Sequence, residues 1–153
     1  MQKLLSSLAL LSSVLSAPSF ASDTTISLRK HSGSGFAPVQ YSGSKSCVIN
    51  GAGLTIEKSM AAVTVQEVKI LTRFDKDYLA KELDQAAAAG LSDKGPAPTD
   101  AGYTTYSALM ADGTEVVLKG IKNSAGTSDL RIVENQSMSA QGLIFMLDNL
   151  CGF

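Results

Sequence analysis

The residues able to do chemistry are few: one histidine, two cysteines, and scattered serines and carboxylates. Cys47, in Lys45-Ser-Cys47-Val-Ile-Asn50, has a single intramolecular partner available, Cys151 in Leu150-Cys151-Gly152-Phe153. In an oxidising compartment that pair predicts a disulfide between an early strand and a late helix. A catalytic thiolate would need a base, and nothing brings His31, beside its glycine-rich turn, to Cys47. A serine, His31 and a carboxylate make a small envelope hydrolase the enzymatic alternative, but no Gly-x-Ser-x-Gly elbow marks a nucleophile. Asp75 and Asp77 are close enough for acid–base or metal work, yet Asp75 is better placed as a helix cap. No carboxylates cluster at metal-ligand spacing, so neither a metal nor a cofactor is expected. Gly33-Ser-Gly35 and Gly51-Ala-Gly53 read as turns, since neither completes a dinucleotide or phosphate loop. Arg29-Lys30-His31 reads as a solvated strand end, and Asn135-Gln-Ser137 as a chance glycosylation sequon.

The N-terminal stretch says where these residues work. Residues 1–21 have the pattern of a secretory signal peptide: Lys3, an apolar run from Leu4 to Leu15, and small residues at Ser19 and Ala21. The mature chain is expected to begin at Ser22, in the periplasm or outside the cell, as one domain over 22–153. The apolar run is shorter than the roughly 20 residues of a membrane span, and no cysteine follows the cleavage site, so no stable membrane anchor is expected. Without Lys3 the balance of 13 basic and 14 acidic residues moves from −1 to about −2, with both signs interspersed. That leaves no basic field for nucleic acid.

Periodicity supplies the elements that must position the chemistry. Thr24–Lys30 alternates with period two, Phe36–Tyr41 is extended but carries Pro38, and Cys47–Lys58 reads as a hairpin around Asn50-Gly51. Val63–Leu71 is β-branched with its alternation slipping between Val65 and Val68, which predicts a bulge. From Asp75 the period turns helical, with Tyr78, Leu79, Leu83, Ala86 and Ala87 on one face, a Phe74–Leu79 staple and Gly90 as terminator. Leu91–Gly102, with Pro96 and Pro98, reads as a loop. Tyr103–Met110 and Thr114–Ile121 form a hairpin in which an Asp112-Gly113 turn would set Leu109 against Val116. A short strand at Leu130–Val133 precedes a helix from Ser137 or Ser139, whose stripe is Leu143, Met146, Leu147, Leu150 and Cys151, widened by Ile144 and Phe145. The order predicts an α+β fold, a mostly antiparallel sheet with two helices packed on one face; an all-β barrel with peripheral helices is the alternative.

At Ser32-Gly-Ser-Gly-Phe-Ala37, after the first strand, the chain resembles small secreted bacterial metalloprotease inhibitors of the emfourin type. These carry a Ser-Gly-Gly-Phe-Ala-Gly-like turn at that place and a similar order of helix, hairpin and closing helix. This chain departs at Ser34 and Pro38, and its middle hairpin and two cysteines lie outside that pattern. The resemblance implies a proteinaceous, non-enzymatic role, blocking a thermolysin-like protease. The leader, the disulfide and the missing catalytic constellation make a secreted or periplasmic non-catalytic binding domain with a protein partner the leading expectation, protease inhibition being its most concrete form. A carrier of small apolar ligands is the further alternative. Candidate binding residues are Gly33, Ser34, Gly35, Phe36 and Pro38 after the first strand, and Pro96 and Pro98 in the later loop, because exposed Gly- and Pro-rich segments can add partner contacts. Protein recovered from an oxidising compartment should begin at Ser22 and contain no free thiol, outcomes checked by N-terminal sequencing and thiol titration.

Overall fold

The computed structural model describes residues 26–35, 42–61, 63–98, 101–124 and 129–153. The leader over 1–21 and the candidate residues Phe36 and Pro38 lie outside the described residues. The strands are β1 (Ser27–Gly33), β2 (Gly43–Asn50), β3 (Gly53–Met60), β4 (Val63–Ile70), β5 (Leu91–Pro96), β6 (Tyr103–Leu109), β7 (Glu115–Asn123) and β8 (Leu130–Asn135). Helix α1 (Lys76–Ala88) lies between β4 and β5, and α2 (Met138–Cys151) follows β8. All strands join one antiparallel sheet in the order β4-β3-β2-β1-β6-β7-β8-β5, an α+β architecture with two edges rather than a closed barrel. Among the described residues no helix is long and apolar enough to cross a membrane.

Alternate residues of the inner strands supply the core: Leu28 from β1, Cys47 and Ile49 from β2, Leu54 and Ile56 from β3, Tyr106 and Ala108 from β6, Val116 and Leu118 from β7. They form one cluster with Leu79, Leu83 and Ala86 of α1 and Ala140, Leu143, Leu147 and Cys151 of α2. The predicted disulfide is present: Cys47 and Cys151 are bonded with their Cα atoms 5.9 Å apart, and both are buried. Asp75 caps α1 by accepting the N–H groups of Asp77 and Tyr78 at 3.1 and 3.0 Å. Ser137 caps α2, and Gly152 ends it at φ 65°, the left-handed conformation that glycine adopts without steric cost. Buried Asn135 donates its side-chain N–H to the Ala86 carbonyl at 2.7 Å, tying the end of α1 to β8 and leaving the sequon amide no room for a sugar.

Five expectations are corrected. No bulge interrupts β4: its register with β3 runs unbroken from Gly53↔Ile70 to Met60↔Val63. Val63 and Val65 simply face one side and Val68 and Ile70 the other, which an edge strand exposed at every residue permits. Leu91–Pro96 is a strand rather than part of a loop; β8 supplies its hydrogen bonds, and the Asp93/Gly95 bulge and Pro96 are tolerated because no described strand pairs on its outer side. The β6–β7 turn spans Ala111, Asp112 and Gly113, with Gly113 at φ 85°. Leu109 thus faces Glu115, and a bulge between Tyr106 and Ser107 restores the expected Tyr106↔Lys119 pair. Helix α1 buries only Leu79, Leu83 and Ala86, leaving Tyr78 and Ala87 exposed, and it ends at an extended Ala89 because the chain turns straight into β5. Phe145 of α2 is 70 % exposed, so that helix is less covered than its apolar composition suggests.

The disulfide closes a 104-residue separation. Replacing both Cys47 and Cys151 by alanine should lower the unfolding free energy by about 3–5 kcal/mol, read as a reduced urea midpoint.

Candidate functional site

The facing residues of β1, β2 and β3 change character along the strands. Leu28↔Ile49 and Ile49↔Leu54 are followed by Lys30↔Cys47 and Cys47↔Ile56, then by Ser32↔Lys45 and Lys45↔Lys58, and last by Gly43↔Met60. The core therefore ends just beyond the disulfide, and the same row of alternate positions continues as a polar floor. After the Gly152 cap Phe153 lies beside that floor, with the Lys30 and Lys45 Nζ atoms 4.7 and 5.5 Å from its ring centre. The result is an open trough of about 470 Å³ lined by Ser32, Ser34, Lys45, Lys58, Met60 and Phe153, among others.

Lys30 forms the trough's inner support. It is 3 % exposed, its Nζ lies 2.7 Å from Asp148 Oδ1, and it stands over the Tyr106 ring at 5.7 Å. The Tyr106 hydroxyl donates to the same carboxylate oxygen at 2.8 Å. Partial burial pushes the Asp148 carboxyl up, but hydrogen bonds from Lys30 and Tyr106 outweigh it and hold the group below the ordinary carboxylate range. Burial, followed by the Asp148 carboxylate, pushes the Tyr106 phenol well above its ordinary value. Sequence reasoning took Lys30 for a solvated strand end. Two signals could have found it: Lys30 shares the alternating face of Leu28, and Asp148 lies three residues before Cys151 on the helix.

At the rim, Lys45 and Lys58 are directly opposed across β2 and β3, and among the described residues neither forms an ion pair. Of the candidate binding residues, Gly33 and Ser34 line the trough. Ser34 also closes the β1–β2 end: its hydroxyl accepts the Gly43 N–H at 2.8 Å and donates to the Gly43 carbonyl at 3.0 Å. Gly43 admits no side chain there, because a Cβ would come within 2.9 Å of the Ser59 carbonyl oxygen. Gly35 lies beside Gly102, where a Cβ would stand 3.5 Å from the Gly35 nitrogen. Pro96 and Pro98 do not join this group, since β6, β7 and β8 separate β5 from β1.

His31 points into a different setting. In the ladder it faces Ser46, which in turn faces Glu57, while its other neighbour is Thr105. The hydroxyl thus sits between imidazole and carboxylate, whereas a catalytic triad needs the imidazole in the middle. The ring's recorded contact is with Tyr103, 6.3 Å between centres. Among the described residues no three His, Cys, Asp or Glu side chains are grouped as metal ligands.

Comparison with protein-family models, with curated proteins and with solved structures finds no match to this chain.

Asp148→Asn should destabilise the fold by about 2 kcal/mol, less than a fully enclosed pair would lose, because Asp148 is 46 % exposed while Lys30 is left charged and enclosed. Since the folded-state carboxyl titrates below its unfolded value, this contribution is complete above about pH 5 and disappears as the pH falls through and below about 4. Urea unfolding from pH 3 to 7 should show the wild type losing its advantage over Asp148→Asn at the acid end.

Proposed function

We propose that this chain is a non-catalytic binding domain of an oxidising, extracytoplasmic compartment, and that it takes a protein partner in the trough. The opposed Lys45 and Lys58 carry this reading. Two ammonium groups directly across a strand pair repel each other, and a carboxylate placed between them removes that repulsion. Phe153 and Met60 offer the same partner an apolar contact. The occupant best suited is an exposed segment with an acidic side chain next to an apolar one. Its seat is stiff, because the disulfide, the Lys30–Asp148 pair and the Ser34–Gly43 hydrogen bonds all converge on it. Preorganisation of that kind reduces the ordering cost of association.

In this reading both helices cover one face of the sheet, and the trough is the uncovered remainder of that face. Its support is the single core cluster to which both helices contribute. The most concrete form is inhibition of a thermolysin-like protease, supported by the turn motif after β1, whose Ser32, Gly33 and Ser34 line the trough. The carrier alternative finds less support, because the space between sheet and helices is filled by Leu28, Ile49, Leu54, Leu83, Leu118 and Leu147.

Micromolar protein added to thermolysin-like proteases should inhibit peptide hydrolysis. The Lys45→Glu/Lys58→Glu variant should weaken inhibition by at least ~10-fold with unchanged thermal stability. Absence of inhibition at micromolar concentration would remove the inhibitor form.

A further inference from the structure

The two edges of the sheet are built differently. β5 is six residues long, is broken by the Asp93/Gly95 bulge, and carries Lys94 and Pro96, all features that discourage a further strand. β4 also carries a lysine, Lys69, but has neither the bulge nor the proline. It is eight residues long, pairs with β3 without a bulge, contains neither proline nor glycine, and exposes every residue. Val63, Val65 and Val68 are at least 60 % exposed, and Ile70 reaches 83 %. A regular, β-branched edge of this kind is a template for strand addition.

The direction of the hydrogen bonds restricts what can be added. Leu71 donates its N–H to the Ala52 carbonyl at 2.7 Å, and the β3–β4 register is continuous. Odd-numbered residues of β4 are therefore bonded towards β3, and among the described residues the outward N–H and C=O groups left without a strand partner belong to Thr64, Gln66, Val68 and Ile70.

We infer that β4 is a homodimer interface, in which two copies pair their β4 strands antiparallel about Val68 and join their sheets into one. In this register Val68 faces Val68 of the second copy, and Gln66 faces Ile70, using the free backbone groups of both strands. Glu67 of each copy then opposes Lys69 of the other, at the non-hydrogen-bonded positions where facing side chains approach most closely. Within one chain these two side chains already form an ion pair at 3.0 Å, so the pairing makes a square of alternating charge. Neighbouring registers lack this match. Centring on Glu67 sets Glu67 against itself, centring on Lys69 sets lysine against lysine, and centring on Gln66 faces both charges with valines. On the other side of the sheet from Val68, Val65 meets Leu71 of the second copy, and Leu71 already packs against the core. The two-fold axis is perpendicular to the sheet, so both Lys45/Lys58 troughs open on the same side.

The test is sedimentation equilibrium of the full mature chain at concentrations up to roughly 100 µM, since an interface of one strand pair is small and suits a micromolar constant. Wild type should be a dimer that dissociates on dilution. Glu67→Lys and Lys69→Glu should each be monomeric, and the double swap Glu67→Lys/Lys69→Glu should restore the dimer because the square of charge is regenerated. Gln66→Pro, which deletes an outward N–H, should also be monomeric. A monomeric wild type throughout this range overturns the proposal, as does a dimer indifferent to Glu67→Lys or one not regained by the double swap. A chain that stays monomeric yet binds a strand of some other protein through β4 overturns it equally.

Discussion

The Cys47–Cys151 bond is the constraint on which the rest of this structure leans. The chain has no tryptophan, and aromatic residues are only 6 % of its length, so its core is assembled mainly from leucine, isoleucine and alanine, with Tyr106 as its buried ring. Such a core gains less from each side chain than one with large rings. A crosslink spanning 104 positions removes chain entropy from the unfolded state instead, and it does so between β2 and the last residue of α2. Everything near the trough is then defined relative to that bond: Lys30 is the strand neighbour of Cys47, and Asp148 is one helical turn from Cys151.

Lys30 shows how a charge can be kept inside such a core. Taking an ammonium group out of water is costly unless a carboxylate and further polar or π contacts replace the lost hydration. Asp148 supplies the countercharge, Tyr106 steadies that carboxylate by a hydrogen bond, and Tyr106 and Phe153 present ring faces. Phe153 consequently links the enclosed lysine to the exposed Lys45. The trough is thus the outer layer of a polar network that begins in the core, which explains how its floor can carry charge. The sheet has an equally uneven perimeter, one edge blunted by a bulge and proline and the other left regular.

Much of the fold was legible in the residues. The disulfide, the Asp75 cap, a start for α2 at one of two serines and the β2–β3 hairpin all follow from local rules: partner number, capping chemistry and turn composition. The misreadings of β4 and β5 share one cause. Period-based reasoning assumes that an element has one buried side. β4 and β5 are edges without one, so their patterns suggested a bulge in the first and a loop in the second. Phe145 and Tyr78 failed similarly, because apolar character alone does not say how wide a stripe the sheet will cover.

The site was less legible than the fold. Gly33 and Ser34 were identified from turn composition, but the lysines that give the trough its character were not, since Lys45 and Lys58 are separated by a hairpin and become neighbours only through its register. The sequence alone determined both helices, most of the strands and that Cys47 must find Cys151. Only the tertiary structure decided the order of strands, and with it which edge is bare, which lysine is enclosed and which two are opposed. The physical reason is that local propensity and capping act within a few residues, whereas strand order and cross-strand neighbours are selected by burial of the inner strands in one core with the helices.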